Sequence, residues 1–158
     1  MTKSLFIFFL IVTLSACSAS KQTPSAIGLV TLRNYAINEK VDLQEDVTFE
    51  IFTNSTDFQH FFHMTKSTPA TVVVPDFNKQ QVVAVILKPS TKVRSLSIDK
   101  ANISGTDLNI YYSLTDTTKW ATYEQVEAVA ATVPKALNVK NANFYKDSIK
   151  EKTLPVVY

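Results

Sequence analysis

Apolar residues recur along this chain at two spacings, and the spacing decides the element. Val47, Phe49 and Ile51 alternate with Thr48 and Glu50, the period of a half-buried strand. DLNIYYSL (107–114) alternates through Leu108, Ile110 and Tyr112, and residues 93–103 carry Leu96, Ile98 and, after a change of phase, Ile103. Turn residues Ser104-Gly105-Thr106-Asp107 separate these two runs, which predicts a β-hairpin. VVAVIL (82–87) has no polar position and is bounded by Gln81 and Lys88-Pro89, the signature of a buried strand. Leu29 to Ile37 reads as a strand with a phase shift, and Asn38 to Asp46 as a turn. Asn54-Ser55-Thr56-Asp57 is a run of helix-capping residues, with Phe58, Phe61, Phe62 and Met64 following, so residues 56–66 are expected to form one amphipathic helix. Residues 122–132 fit a helix or a strand. The strand reading is preferred for 126–134, with Trp120 in the loop before it. Asn143 to Tyr145 reads as a further strand, and the apolar tail Leu154 to Tyr158 as an edge. The expected fold is α+β and β-rich, a mainly antiparallel sheet or sandwich with one short helix, as a single domain over 29–158.

The N-terminus follows a different pattern. Lys3 precedes eight unbroken apolar residues, LFIFFLIV (5–12), and small residues Ser15 and Ala16 come just before Cys17. These are the parts of a secretory signal peptide, and the run is shorter than the roughly 20 residues that span a bilayer. Leu14-Ser15-Ala16-Cys17 resembles the lipobox of bacterial lipoproteins. The resemblance implies a signal peptide over 1–16 and a diacylglycerol-bearing, further acylated (palmitate-type) Cys17. It also implies attachment to a cell-envelope membrane through that lipid. Two or more chains hold firmly, since each buried CH₂ contributes about 0.8 kcal/mol. An ordinary cleaved signal is the alternative. SASKQTPS (18–25) has the composition of a linker, so residues 17–28 are read as acylated cysteine plus tether. Ser18 rather than Asp after the cysteine is compatible with an outer-membrane destination.

Removal of residues 1–16 leaves 142 residues, with 15 Lys and Arg against 14 Asp and Glu. That is one domain's length, with no basic cluster to bind nucleic acid or to form a polybasic membrane face. With Cys17 acylated no thiol remains for a disulfide. Only Gly28 and Gly105 are glycines, which excludes a phosphate-binding loop, a dinucleotide fingerprint and a nucleophile elbow.

From Val74 onward the order is VPDFNKQQVVAVILK, a loop, SLSIDKANISGTDLNIYYSL, a second loop, VAATVPKAL and NANFYKD. This is similar to the C-terminal domain of the protease complex subunit PrcB family, over roughly residues 47–146. Family members usually carry glycines after the VVAV strand, where this chain has Pro89 to Arg94. The resemblance implies a compact β-rich domain that binds or assists another envelope protein, such as a protease, and brings no catalytic residues with it.

Three side-chain sets merit weighing for chemistry. Asp57, His60 and His63 stand three apart, so on one helix they lie along one face, and a carboxylate with two imidazoles can hold zinc. The plainer reading places both histidines on the polar side of a helix whose phenylalanines face the core. Tyr112, Trp120 and Tyr123 can form a small-ligand or glycan surface, or simply pack. The acidic pairs Glu45-Asp46 and Glu124/Glu127 read as solvated, and no serine has the setting of a nucleophile. The expected function is therefore a lipid-anchored accessory or binding protein, with no catalysis and no cofactor. The alternatives are metal binding through His60 and His63, or ligand binding through the tyrosines and tryptophan.

Overall fold

VVAVIL is unbroken because its strand is covered on both faces. In the computed structural model, which describes residues 24–65 and 72–158, this strand is central to a three-layered domain. The expected signal peptide, the lipidated Cys17 and most of the tether lie outside the described residues. In chain order the strands are β1 (Ser25–Ala26), β2 (Val30–Thr31), β3 (Tyr35–Ile37) and β4 (Val47–Phe52). Helix α1 (Ser55–Phe61) follows, then β5 (Phe62–Met64) and β6 (Gln80–Leu87). The chain closes with β7 (Ser90–Ser104), β8 (Asp107–Gln125), β9 (Ala128–Pro134), β10 (Asn141–Lys146) and β11 (Ile149–Pro155).

Two sheets carry the domain, ordered β1-β7-β8-β10-β11 and β2-β9-β6-β4, and β3 pairs with β5 in a small third sheet. Val83 and Val85 of β6 point to the core between the large sheets, where they join Phe49, Ile98, Leu108, Ile110, Ala142 and Phe144. The alternate residues Val82, Ala84 and Ile86 face the other way, into a second core with Leu32, Phe52, Phe58 and Phe62. A strand buried on both sides cannot alternate with polar residues, which accounts for the sequence of β6.

The β-rich α+β expectation holds, with four refinements. First, β8 and β10 are parallel (Asn141 opposite Asp107, Lys146 opposite Tyr112), because β9 crosses to the other sheet between them. Second, the helix ends at Phe61 instead of running to residue 66. Phe62 is extended, its N–H donates to the Phe58 carbonyl, and Phe62 to Met64 pair with β3. The phenylalanines fill the second core from both elements, with Phe58 and Phe62 stacked at 5.1 Å. Third, the folded part reaches further back than residue 29. Ser25 and Ala26 pair with Ile103 and Asn102, and the Ile27 N–H donates to the Ala101 carbonyl at 3.2 Å. Fourth, Trp120 lies within β8 and not in a loop.

The turns follow their residues. Gly105 has φ 62° and starts the two-residue connection from Ser104 to Asp107, where a residue with a side chain is disfavoured. Asp147 and Ser148 both have positive φ (49° and 68°) in the two-residue turn between Lys146 and Ile149, the geometry whose twist suits a hairpin.

Candidate functional site: the β7–β8 corner

β6 runs into β7 through Lys88-Pro89, and β8 into β9 through Val126-Glu127. The pair β6/β9 in one sheet is therefore continuous with the pair β7/β8 in the other, and the ribbon turns a corner between them. Arg94 and Glu127 hold that corner. The Arg94 backbone N–H donates to Glu127 Oε1 at 2.7 Å, Arg94 Nη2 donates to the Lys88 carbonyl at 2.8 Å, and the two charged groups approach to 3.9 Å. Both side chains are largely buried, at 15% and 18% exposure.

The two strands are unequal here. Ser90 to Ile98 of β7 faces Tyr112 to Gln125 of β8, which is five residues longer, and the register shifts on either side of the Lys92–Trp120 pair. Surplus residues in one strand bend it and leave groups unpaired. Beyond Tyr112, β8 has only β7 as a strand partner among the described residues. Trp120 and Tyr123 consequently stand 71% and 69% exposed, with Val126 nearby at 40%. Lys92 pairs with Asp116 beside them, and that ammonium holds the Asp116 carboxyl below the usual carboxylate range.

The third aromatic candidate is elsewhere. Tyr112 is buried in the main core, edge-on to Phe49 at 5.6 Å, and its hydroxyl donates to the Glu151 carboxylate. Burial first, and then that hydrogen bond to Glu151, hold its hydroxyl protonated well above the usual tyrosine range. Tyr112 is thus a core residue and no part of a surface with Trp120 and Tyr123. Alternation in DLNIYYSL already pointed inward at this position.

Asp57, His60 and His63 do not assemble either. Because the helix stops at Phe61, His63 is on β5, with Nδ1 2.9 Å from Asn38 Oδ1. Asp57 lies in the first turn of α1, which Asn54 caps: the Asp57 N–H donates to Asn54 Oδ1 at 2.9 Å, and the Asp57 carboxylate accepts from Asn54 Nδ2 at 2.7 Å. His60 and His63 share an open hollow of about 500 Å³ with Asn38, Glu39, Lys40 and Gln59. Among the described residues no three His, Cys, Asp or Glu side chains come together as metal ligands. An apolar cleft of about 340 Å³ lies on the other side of His63, walled by Tyr35, Phe58, Phe62, Met64 and Phe77.

One feature of the outer face of the five-stranded sheet escapes a linear reading. Asn109 Nδ2 donates to Asn102 Oδ1 at 3.0 Å, Asn143 Nδ2 to Asn109 Oδ1 at 3.1 Å, and Thr153 Oγ1 to Asn143 Oδ1 at 2.7 Å. This ladder crosses β7, β8, β10 and β11 and satisfies polar groups as buried as Asn143, 4% exposed. Tyr111 and Tyr145 stack beside it at 5.0 Å, with the Lys100 ammonium 4.6 Å above Tyr111. The Asn102–Asn109 pair belongs to the Gly105 hairpin, but only strand order joins it to Asn143, 34 positions beyond Asn109.

No family model matches the chain, and no curated protein and no solved structure matches it either.

Proposed function

We propose that this protein is a lipid-anchored accessory protein of the bacterial cell envelope, held by an acylated Cys17 in the outer membrane, that binds another envelope protein without catalysing a reaction. The corner of the β7–β8 ribbon is its contact surface, and a protease is the partner class that the PrcB-like sequence features suggest. The observation that carries this reading is the exposure of Trp120 and Tyr123 where β8 carries surplus residues on either side of the Lys92–Trp120 pair. Tryptophan and tyrosine dominate the centres of protein interfaces, where each removes a large apolar area from water and still offers a hydrogen bond. The signal-like N-terminus and the LSAC sequence support the anchor.

Site-specific photo-cross-linking in living cells tests it. A photo-reactive phenylalanine analogue at position 120 or 123 should capture one dominant protein, and the same analogue at Lys40 should not. The product should disappear with Cys17→Ala, which removes the anchor. Absence of a product from both corner positions sinks the reading. Capture of glycan or lipid at those positions would instead favour the ligand-binding alternative.

A further inference from the structure

The strand that leads back to the proposed anchor and a set of exposed apolar residues meet at one end of the domain. Ser25 pairs with Ile103, two residues before Gly105, so the chain toward Cys17 departs beside the Gly105 turn. The segment between β9 and β10 closes on the same turn. Asn138 Nδ2 donates to the Gly105 carbonyl at 3.2 Å, and the Lys140 N–H to the Thr106 carbonyl at 2.7 Å. The tail is fastened there too: the Val156 N–H donates to the Lys140 carbonyl at 2.8 Å and the Tyr158 hydroxyl to the Ala136 carbonyl at 2.6 Å.

This end presents Leu137 at 79% exposure, Val157 at 73% and Tyr158 at 45%. Lysines rim it. The Lys135 N–H bonds to the Lys79 carbonyl at 2.8 Å, the Lys135 ammonium lies 5.2 Å from the centre of the Tyr158 ring, and Lys140 is exposed. Of the carboxylates nearby, Asp76 lies 3.6 Å from Lys79 and Asp107 accepts from Asn141 at 2.9 Å.

We propose that this end of the domain rests on the bilayer to which Cys17 is attached, with Leu137 and Val157 in the interfacial zone, Tyr158 at headgroup level and Lys79, Lys135 and Lys140 toward anionic phosphates. Aliphatic side chains flanked by tyrosine and lysine match the apolar-to-polar gradient of that zone. Reach limits the geometry: at the full extension of about 3.5 Å per residue, the eight steps from Cys17 to Ser25 cover about 28 Å, so this end stays close to the membrane in any conformation. The opposite end of the ribbon, with Trp120 and Tyr123, is then directed away from the bilayer, toward a partner. This inference rests on the lipid-anchor reading and adds a second, weaker contact to it.

The test uses the full chain made in cells, extracted from membranes and reconstituted into phosphatidylethanolamine–phosphatidylglycerol vesicles. Intact mass first reads acylation of Cys17. Single reporter cysteines Leu137→Cys and Val157→Cys, carrying an environment-sensitive fluorophore, are compared with Ile149→Cys at the far turn. With Cys17 acylated, nitroxide-labelled lipids should quench positions 137 and 157 at least threefold more than 149, with a blue-shifted emission at the first two. Equal quenching at all three positions overturns the inference while the anchor stands. A mass without acyl chains overturns the anchor and the inference with it.

Discussion

The two halves of the β7–β8 ribbon share a hairpin but have different neighbours. Near Gly105, β8 lies between β7 and β10, its inward residues Leu108, Ile110 and Tyr112 are buried, and its outward Asn109 joins the ladder. Past Tyr112 it loses β10, gains surplus residues and leaves a tryptophan and a tyrosine in water. Strand pairing on both sides with a covered inner face demands a fixed register, because a one-residue slip turns every core residue outward. Where neither condition holds, register shifts cost little and exposed side chains are free for recognition.

The largest break in this comparison comes from the inserted half. Ile110→Ala, at a fully buried position, should cost about 2–5 kcal/mol in chemical denaturation followed by circular dichroism. Glu127→Ala should come next, at about 1–3 kcal/mol, because the largely buried Arg94 guanidinium and backbone N–H lose their partner. That loss should be accompanied by faster proteolytic nicking at the corner. Asn109→Ala leaves Asn143 Nδ2 without its acceptor and should cost about 1–2 kcal/mol by the same measurement.

The corner half should respond oppositely. Trp120→Ala should alter stability by less than about 0.5 kcal/mol while abolishing partner capture. Trp120 is the sole tryptophan, so emission of the native protein should already lie close to that of the unfolded chain and be readily quenched by iodide. A blue-shifted, shielded tryptophan in the isolated protein would contradict the exposed corner. A shift that appears only with the partner would sharpen it.

The smallest effect concerns Glu50 on β4. Burial chiefly, with the Glu45 carboxylate beside it, raises its carboxyl above the usual value, against the opposing pull of Lys152. The native state therefore holds this proton more tightly than the unfolded chain, and stability declines as pH rises from the ordinary carboxylate range through the raised one. Glu50→Gln should remove that decline: the variant should be the more stable at pH 7, with the difference closing as pH falls below 4.5, as thermal melts across pH will read.

Patterns carried by neighbouring residues were legible in the chain. Alternation in VTFEIF, the unbroken VVAVIL, the Gly105 hairpin and the capping residues before α1 each express a local rule, and each element formed where those residues lie. The helix is shorter than its spacing predicts because Phe61, Phe62 and Met64 suit a helix as well as a strand, and pairing of Phe62–Met64 with Tyr35–Ile37 decides between them. The same decision separated His63 from the helix face. Trp120 was identifiable as a residue worth weighing, whereas its exposure depends on surplus residues that only the register with β7 defines.

The sequence by itself determined a β-rich chain, its turns, its buried central strand and the small-residue approach to Cys17, all properties of contiguous residues. Tertiary structure alone decided the parallel β8–β10 pair, the Asn109–Asn143 link of the ladder and the approach of Lys79 and Tyr158 to Lys135. Those features join residues tens of positions apart, and chain crossing between sheets, which no local pattern records, is what brings them together.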